Sequence, residues 1–139
     1  MKEMIYRDRV TTVEEIERLA DGNYKGLDYY VLSLGSHPCA YVDVGGTALA
    51  GKFYDDIDID CHFGLTYSED HLYTVNKKSW FIGWDYAHYT DYSGYMGYMS
   101  FAAELKKWTT QEIVDECKAV IDQIVELIGE KHNESDFKN

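Results

Sequence analysis

Apolar residues recur at helical spacing in a short stretch near the start of the chain. Over residues 11–22 the apolar positions are Val13, Ile16, Leu19 and Ala20. Thr12 and Glu15 fit a capping box, in which two side chains satisfy free backbone amides at a helix start, and Gly22 suits a helix end. This pattern predicts a first helix over residues 11–22.

A second and longer helical pattern covers residues 110–129. Its apolar face consists of Ile113, Cys117, Val120, Ile121, Ile124 and Ile128. Thr109 and Glu112 offer another capping box, and Gly129 is typical of a helix end. The polar residues 131–139 that follow predict a flexible tail.

The middle of the chain is typical of β-structure. Predicted strands are Tyr29–Gly35, Ala40–Val44, Ile57–His62 and Trp80–Tyr86. The expected fold is α+β, with a small antiparallel or mixed β-sheet, an N-terminal helix and a long C-terminal amphipathic helix. We expect residues 1–130 to form a single domain.

The length and composition of the chain indicate the number of domains and the cellular compartment that we expect. The 139 residues match one domain, and the sequence has no apolar run of about 18 residues that would span a membrane. The start Met1-Lys2-Glu3-Met4 lacks the apolar stretch of a signal peptide. Three cysteines give no evident disulfide framework. These features favour a cytoplasmic protein.

The charge of the chain limits its partners. Its net charge is −12, from 25 acidic and 13 basic residues. Such a surface repels a phosphate backbone, so direct binding of nucleic acid is not expected. It would attract a protein with a basic surface, and simple solubility is the alternative explanation.

Two regions supply candidate partner-binding residues. Tyrosines recur at every third position in the predicted loop 86–101, and tyrosine is enriched at protein interfaces. Acidic residues cover the polar side of the second helix. The predicted partner-binding residues are Glu112, Asp115, Glu116, Asp122, Glu126, Tyr89, Tyr92 and Tyr95.

The predicted strand Ile57–His62 and the residue before it carry a series of metal-ligand types. Side chains on a strand alternate between faces, so Asp56, Asp58, Asp60 and His62 would share one face. Ionisable groups stacked in this way repel one another unless a cation or a basic partner compensates them.

Two further clusters contain metal-ligand residue types. Asp85, His88 and Asp91 follow one another at spacings of three, and His37 and Cys39 flank the single proline. Imidazole with carboxylate or thiolate suits zinc. The predicted zinc ligands are His62, Asp85, His88 and Asp91, with His37, Cys39, Cys61 and Asp60 as further candidates. The alternative for each histidine is a hydrogen-bonded structural role.

Four segments resemble a family of small proteins encoded by phages and prophages of Gram-positive bacteria. They are His37–Val42, Tyr54–Tyr67, Trp80–His88 and Lys107–Thr110. Phe63-Gly64 departs from the pair of glycines expected in relatives. The chain looks like the metalloprotein type of anti-CRISPR protein. This resemblance implies a zinc-binding inhibitor that docks on a type II CRISPR effector nuclease in the bacterial host cytoplasm and blocks DNA loading.

No catalytic motif identifies an enzyme. The sequence contains neither a nucleophile elbow nor a phosphate-binding glycine loop. Two alternatives to the inhibitor stay open: a metal-dependent hydrolase acting on a nucleotide or other small molecule, and a protein that sequesters a small nucleotide signal. The scarcity of arginine counts against a phosphate pocket. The oligomeric state is left open.

Overall fold

Five strands and one long helix build the fold. A computed structural model describes the backbone of residues 1–138 and the side chains of residues 1–129. The elements are β1 Glu17–Tyr24, β2 Leu27–Ser33, β3 Pro38–Asp43, β4 Tyr67–Glu69, β5 Phe81–Asp85 and α1 Thr110–Lys138. Short 3-10 helices lie at Val13–Glu15, Tyr54–Asp56, Gly94–Met96 and Ala102–Glu104.

The strands form one antiparallel sheet in the order β1-β2-β3-β5-β4. β3 is central, and it pairs with β5 from Cys39 opposite Asp85 to Asp43 opposite Phe81. This register brings the start of β3 next to the end of β5. The segments that enter β3 and leave β5 at this end of the sheet therefore lie close together.

The helix α1 covers one face of the sheet and completes the main core. The sheet contributes Val31, Ala40, Val42, Ile82 and Trp84, and the helix contributes Ile113, Cys117, Val120, Ile121 and Ile124. The opposite sheet face carries a smaller cluster of Tyr30, Leu32, Cys39, Tyr41, Leu72 and Phe81. The predicted C-terminal helix and its apolar face are confirmed, as are the predicted strands that became β2, β3 and β5.

The predicted N-terminal helix over residues 11–22 is wrong. Thr12 does donate a hydrogen bond to Glu15 at 2.9 Å, but the turn that they cap covers only Val13–Glu15. The chain then becomes extended as β1. A two-residue turn at Lys25-Gly26, with φ values of 51° and 86°, folds β1 back onto β2. Pairing across this tight hairpin outweighs the local helical pattern.

The predicted strand Ile57–His62 is also wrong, although its pattern of burial is partly right. Ile57 and Ile59 are buried in the main core, but this segment belongs to none of the strands. Its backbone is held by helix side chains, because the Asp60 amide donates to Gln123 Oε1 at 2.8 Å and the Asp60 carbonyl accepts from Gln123 Nε2 at 2.7 Å. Side chains of α1 thus replace a neighbouring strand.

The sheet also contains strands that the pattern missed. β4 has only three residues, too few for alternation to be visible, and it pairs with β5. The predicted helix end at Gly129 is wrong, because α1 continues through this residue to Lys138. The flexibility of the predicted tail over residues 131–139 stays a prediction, since its side chains lie outside the described part of the structure. Within residues 1–138, no helix is both long and apolar enough to cross a membrane.

Removal of a core side chain from α1 tests the packing of helix on sheet. Ile121 is fully buried, whereas Val125, one turn later, is 38% exposed. We expect Ile121→Ala to lower the free energy of unfolding by about 2–5 kcal/mol, because it leaves a cavity. Val125→Ala is the control and should cost less than about 1 kcal/mol. Urea unfolding followed by circular dichroism measures both, and equal losses would contradict this packing.

Candidate metal site

The loop after β5 carries the buried carboxylate around which the site is built. Asp91 is fully buried. It pairs with Lys106 as an isolated bridge, in which the Tyr92 amide donates to the Lys106 carbonyl at 2.8 Å and the Lys106 amide donates to the Thr90 carbonyl at 3.1 Å. The bridge closes the base of the long loop over residues 92–105.

Three groups donate hydrogen bonds to the Asp91 carboxylate. The indole Nε1 of Trp108 donates to Oδ1 at 2.8 Å, and the backbone amide of His88 donates to Oδ2 at 3.0 Å. His62 Nε2 lies 2.9 Å from Oδ1 and 2.8 Å from Oδ2. The carboxylate therefore joins the connection between β3 and β4, which carries His62, to both ends of the connection between β5 and α1, which carries His88 and Trp108.

These contacts also decide the ionisation of Asp91. Burial by itself raises the pKa of a carboxyl group, because it penalises the charged form. In Asp91 the hydrogen bonds from His62, the His88 amide and Trp108 outweigh burial, and the pKa lies below its ordinary value. Asp91 is thus an anion in the interior of the protein at neutral pH.

Aromatic rings hold the imidazole of His62, and the helix α1 holds its backbone. Its ring stacks on Tyr86 with centroids 4.6 Å apart, and it meets Trp108 edge-on at 5.0 Å. Its backbone amide donates to Glu116 of α1 at 2.9 Å. The ring can therefore hold Nε2 toward Asp91 without a large loss of side-chain freedom on binding a ligand.

His88 presents a buried nitrogen that lacks a hydrogen bond. Its Nδ1 lies 3.4 Å from Oδ2 of Asp91 and 3.6 Å from Oδ1 of Asp85, and neither contact is a hydrogen bond. A buried polar atom without a partner is costly, and such atoms in folded proteins call for a specific explanation. Here the nitrogen faces two carboxylates.

His62, His88 and Asp91 form a group that could bind a metal ion. Each offers one ligand atom, and the three atoms lie within 4.8 Å of one another. Asp85 was predicted with them, and it touches this group through His88 but does not share that mutual spacing. An exposed cluster of Glu69, Asp70 and His71 also has ligand spacing, but solvent can satisfy its charges.

The further candidate ligands lie outside this group. Cys39 is buried in the smaller core cluster on the sheet face opposite α1, and burial raises the pKa of its thiol. His37 pairs with the Ser36 hydroxyl at 2.8 Å, and burial lowers the pKa of its imidazole. Cys61 has a pKa raised to about 12, mainly by burial, so it is a thiol at neutral pH. Asp60 is exposed beside Gln123.

Several residues of the site carried no metal-ligand signal in the sequence. Trp108 and Tyr86 are aromatic residues of the kind found in any core, and only their position between the loops gives them a role. Phe63 stacks on His88 with centroids 4.2 Å apart and 7° between the rings. It does so with a positive φ of 57°, which is uncommon for a bulky side chain. This is the position where a glycine was expected.

Most of the predicted partner-binding acids already have internal contacts. Glu112 pairs with Lys106 at 2.7 Å and Asp122 pairs with Lys25 at 2.6 Å. Asp115 accepts a hydrogen bond from Gln111, and Glu116 accepts one from the His62 amide. Glu126 instead joins Asp58 and Asp60 around a shallow acidic depression.

The predicted tyrosines differ in exposure. Tyr89 is 79% exposed and Tyr95 is 43% exposed. Tyr92 packs edge-on against Tyr6 at 4.9 Å, so its ring supports the loop. Tyr98, which was not among the predicted contacts, is 86% exposed. Tyr95 and Tyr98 lie on the long loop over residues 92–105, and Tyr89 lies two residues before Asp91.

Removal of the buried carboxylate tests whether Asp91 organises the site. Asp91→Ala leaves His62, Trp108 and the His88 amide without their acceptor, and we expect a loss of about 3 kcal/mol in the free energy of unfolding, measured with chelator present. Asp115→Ala removes an exposed carboxylate and should change stability by less than about 0.5 kcal/mol. A loss for Asp91→Ala as small as this control would contradict the role.

Comparisons with known proteins do not identify a family. No protein-family model, no curated protein and no solved structure matches the chain. The resemblance to phage-encoded inhibitors therefore stays a prediction, and the site stands on its own geometry.

Proposed function

We propose that this protein binds zinc through His62 Nε2, His88 Nδ1 and the Asp91 carboxylate. The observation that carries the proposal is the buried His88 Nδ1, which has no hydrogen bond and faces Asp91 across 3.4 Å. A cation between these atoms would satisfy the nitrogen and neutralise a buried charge at once. Imidazole and carboxylate ligands are those that zinc prefers.

The spacing of the ligand atoms suits zinc after a small movement. With metal–ligand bonds of about 2.0–2.1 Å, two ligands of a tetrahedral zinc lie about 3.3 Å apart. The His88–Asp91 distance of 3.4 Å already meets this value. The His62–Asp91 distance of 2.8 Å would have to open by about half an ångström as the hydrogen bond gives way to the metal.

Groups around the ligands would orient them. The Trp108 indole and the His88 amide would keep their hydrogen bonds to Asp91 while it binds metal. Such outer contacts fix the ligand oxygens and tune metal affinity. The ion would then fasten the loop before β4 and the loop after β5 to each other, next to the start of α1.

The same arrangement supports a role in protein binding. Tyr89, just before Asp91, and Tyr98, on the loop over residues 92–105, are both largely exposed, and rings of this kind often anchor interfaces. The net charge of −12 favours a basic partner. We propose a zinc-stabilised inhibitor whose partner is a protein with a basic nucleic-acid groove, of which a type II CRISPR effector nuclease is the candidate that the resemblance suggests.

A metal-dependent hydrolase is the second candidate. Catalytic zinc sites commonly have three protein ligands and one open position, and the group here has three ligands. Both candidates require the same metal site. They differ in the fourth coordination position of the metal, which would bind the substrate or a water molecule in a hydrolase and would have no catalytic role in an inhibitor.

Zinc content and thermal stability test the metal site. We expect about one zinc per chain by elemental mass spectrometry and a clear fall in melting temperature after chelation, because bound metal stabilises only the folded state. His62→Ala and His88→Ala should lose the metal and the chelation effect. His71→Ala, at an exposed histidine, is the control and should keep both. Full loss of zinc from the control, or no zinc in the parent protein, contradicts the site.

Competition with DNA tests the inhibitor. The parent protein should prevent a type II effector loaded with guide RNA from binding target DNA in a mobility-shift assay. Tyr89→Ala with Tyr98→Ala should weaken this inhibition by about tenfold or more, since interface rings contribute about 2 kcal/mol each when they are central. Zinc content must stay unchanged in this variant.

The control for the tyrosine variant is a second exposed aromatic residue, Tyr73, which lies away from the loop and is 45% exposed. Tyr73→Ala should inhibit as well as the parent. Absence of any complex between the zinc-loaded parent protein and the effector would reject this partner.

A further inference from the structure

A cavity lies on the sheet face opposite α1, and Asp85 in its wall contacts His88, one of the proposed metal ligands. Its volume is about 250 Å³, and its walls include His37, Cys39, Tyr41, Thr66 and Asp85. This is slightly below the range of about 300–1,000 Å³ for pockets that hold drug-sized ligands. The cavity has room for a small molecule.

Close strand packing shapes the wall of this cavity. Gly83 of β5 lies under the ring of Tyr41, and a Cβ at this position would come within 2.4 Å of Cδ1 of that ring. Glycine therefore lets the ring lie against the strand. Tyr67 of β4 meets Tyr41 edge-on at 5.1 Å, which makes this side of the cavity aromatic.

Asp85 connects the cavity with the metal ligands. Its side chain lines the cavity, and its Oδ1 lies 3.6 Å from His88 Nδ1. Its other contacts are long: the Ala87 amide donates to Oδ1 at 3.2 Å, and the Thr66 hydroxyl donates to Oδ2 at 3.4 Å. Among residues 1–129, no lysine or arginine pairs with this carboxylate, so it can still accept a strong hydrogen bond.

We propose that this cavity is the ligand pocket of the metal centre, and this inference rests on the proposed zinc site. The ligand is a small molecule that gives the metal one or two oxygen atoms and donates an N–H to Asp85. Carboxamides and hydroxamates have this combination of groups.

The walls of the cavity argue for this class over phosphates. None of the residues described as lining it is a lysine or arginine, and phosphate groups are normally held by such cations or by a helix start. Asp85 would repel a phosphate directly. The aromatic wall of Tyr41 and Tyr67 suits the apolar part of a small amide.

Acetohydroxamate is the probe for this pocket. The protein is loaded with cobalt(II) in place of zinc, and metal content is confirmed by elemental analysis. The probe should change the visible absorption of cobalt in a saturable way, because it adds oxygen ligands to the metal. Asp85→Asn should keep the metal and bind the probe about tenfold or more weakly, since a charge-assisted hydrogen bond is lost.

A variant that fills the cavity separates this pocket from the metal itself. Thr66 is exposed at the cavity wall, and Thr66→Trp should keep cobalt and reduce probe binding at least about tenfold. Glu69→Trp, at an exposed position outside the cavity on the same side of the sheet, is the matched control and should bind the probe normally.

Four results would overturn the inference. If the visible spectrum of the cobalt-loaded protein does not change on addition of the probe, the metal has no coordination position open to a ligand. Loss of metal in Asp85→Asn makes Asp85 the fourth ligand, which also closes the site. Unchanged probe binding in Thr66→Trp puts the probe outside the cavity. Failure of the parent protein to hold any metal rejects the zinc site and the pocket together, and elemental analysis distinguishes this case from the other three.

Discussion

Asp91 is a carboxylate without access to solvent, and the interior around it must supply everything that water would otherwise give. Burying a charge is costly unless hydrogen bonds and opposite charge compensate it. Here the compensation comes from His62 in the connection between β3 and β4, and from the His88 amide and Trp108 in the connection between β5 and α1. The hydrogen bonds that this one buried charge requires thus hold these segments of the chain together. The exposed tyrosines and the candidate metal ligands both depend on this arrangement.

The sheet places the site and the cavity together. β3 and β5 are antiparallel neighbours, so the start of β3 and the end of β5 lie side by side at the same end of the sheet. Asp85 ends β5 on the face opposite α1, while Tyr86, the next residue, turns toward the main core and stacks against His62. Alternation at the end of one strand therefore directs the Asp85 carboxylate into the cavity and the Tyr86 ring against His62, a candidate metal ligand. Asp85 and Tyr86, although adjacent in the chain, thus belong to the cavity and to the candidate metal site, respectively.

The sequence predicted the parts of the fold that depend on one segment alone. The face of α1 is visible because its apolar spacing is long and regular, and β2, β3 and β5 are visible as apolar runs. The helix predicted over residues 11–22 was wrong because the short helical pattern there competes with pairing in a hairpin. The turn of that hairpin, Lys25-Gly26, lies just beyond the pattern. Ile57 and Ile59 do face the core, but the backbone of the next residue, Asp60, is held by a glutamine 63 residues away, which no local pattern reveals.

The sequence predicted all three residues of the candidate site together with Asp85, which touches the group through His88. His62, His88 and Asp91 come together, while His37 and Cys39 lie on the cavity side, because the two sheet faces divide the candidates. Phe63 has a further consequence. A phenylalanine in a left-handed backbone conformation costs free energy that a glycine would not, and its ring covers the face of His88. An ion at the proposed site could leave on this side only when the Phe63 ring moves away from His88, so position 63 would affect the rate of metal exchange without belonging to the ligand set.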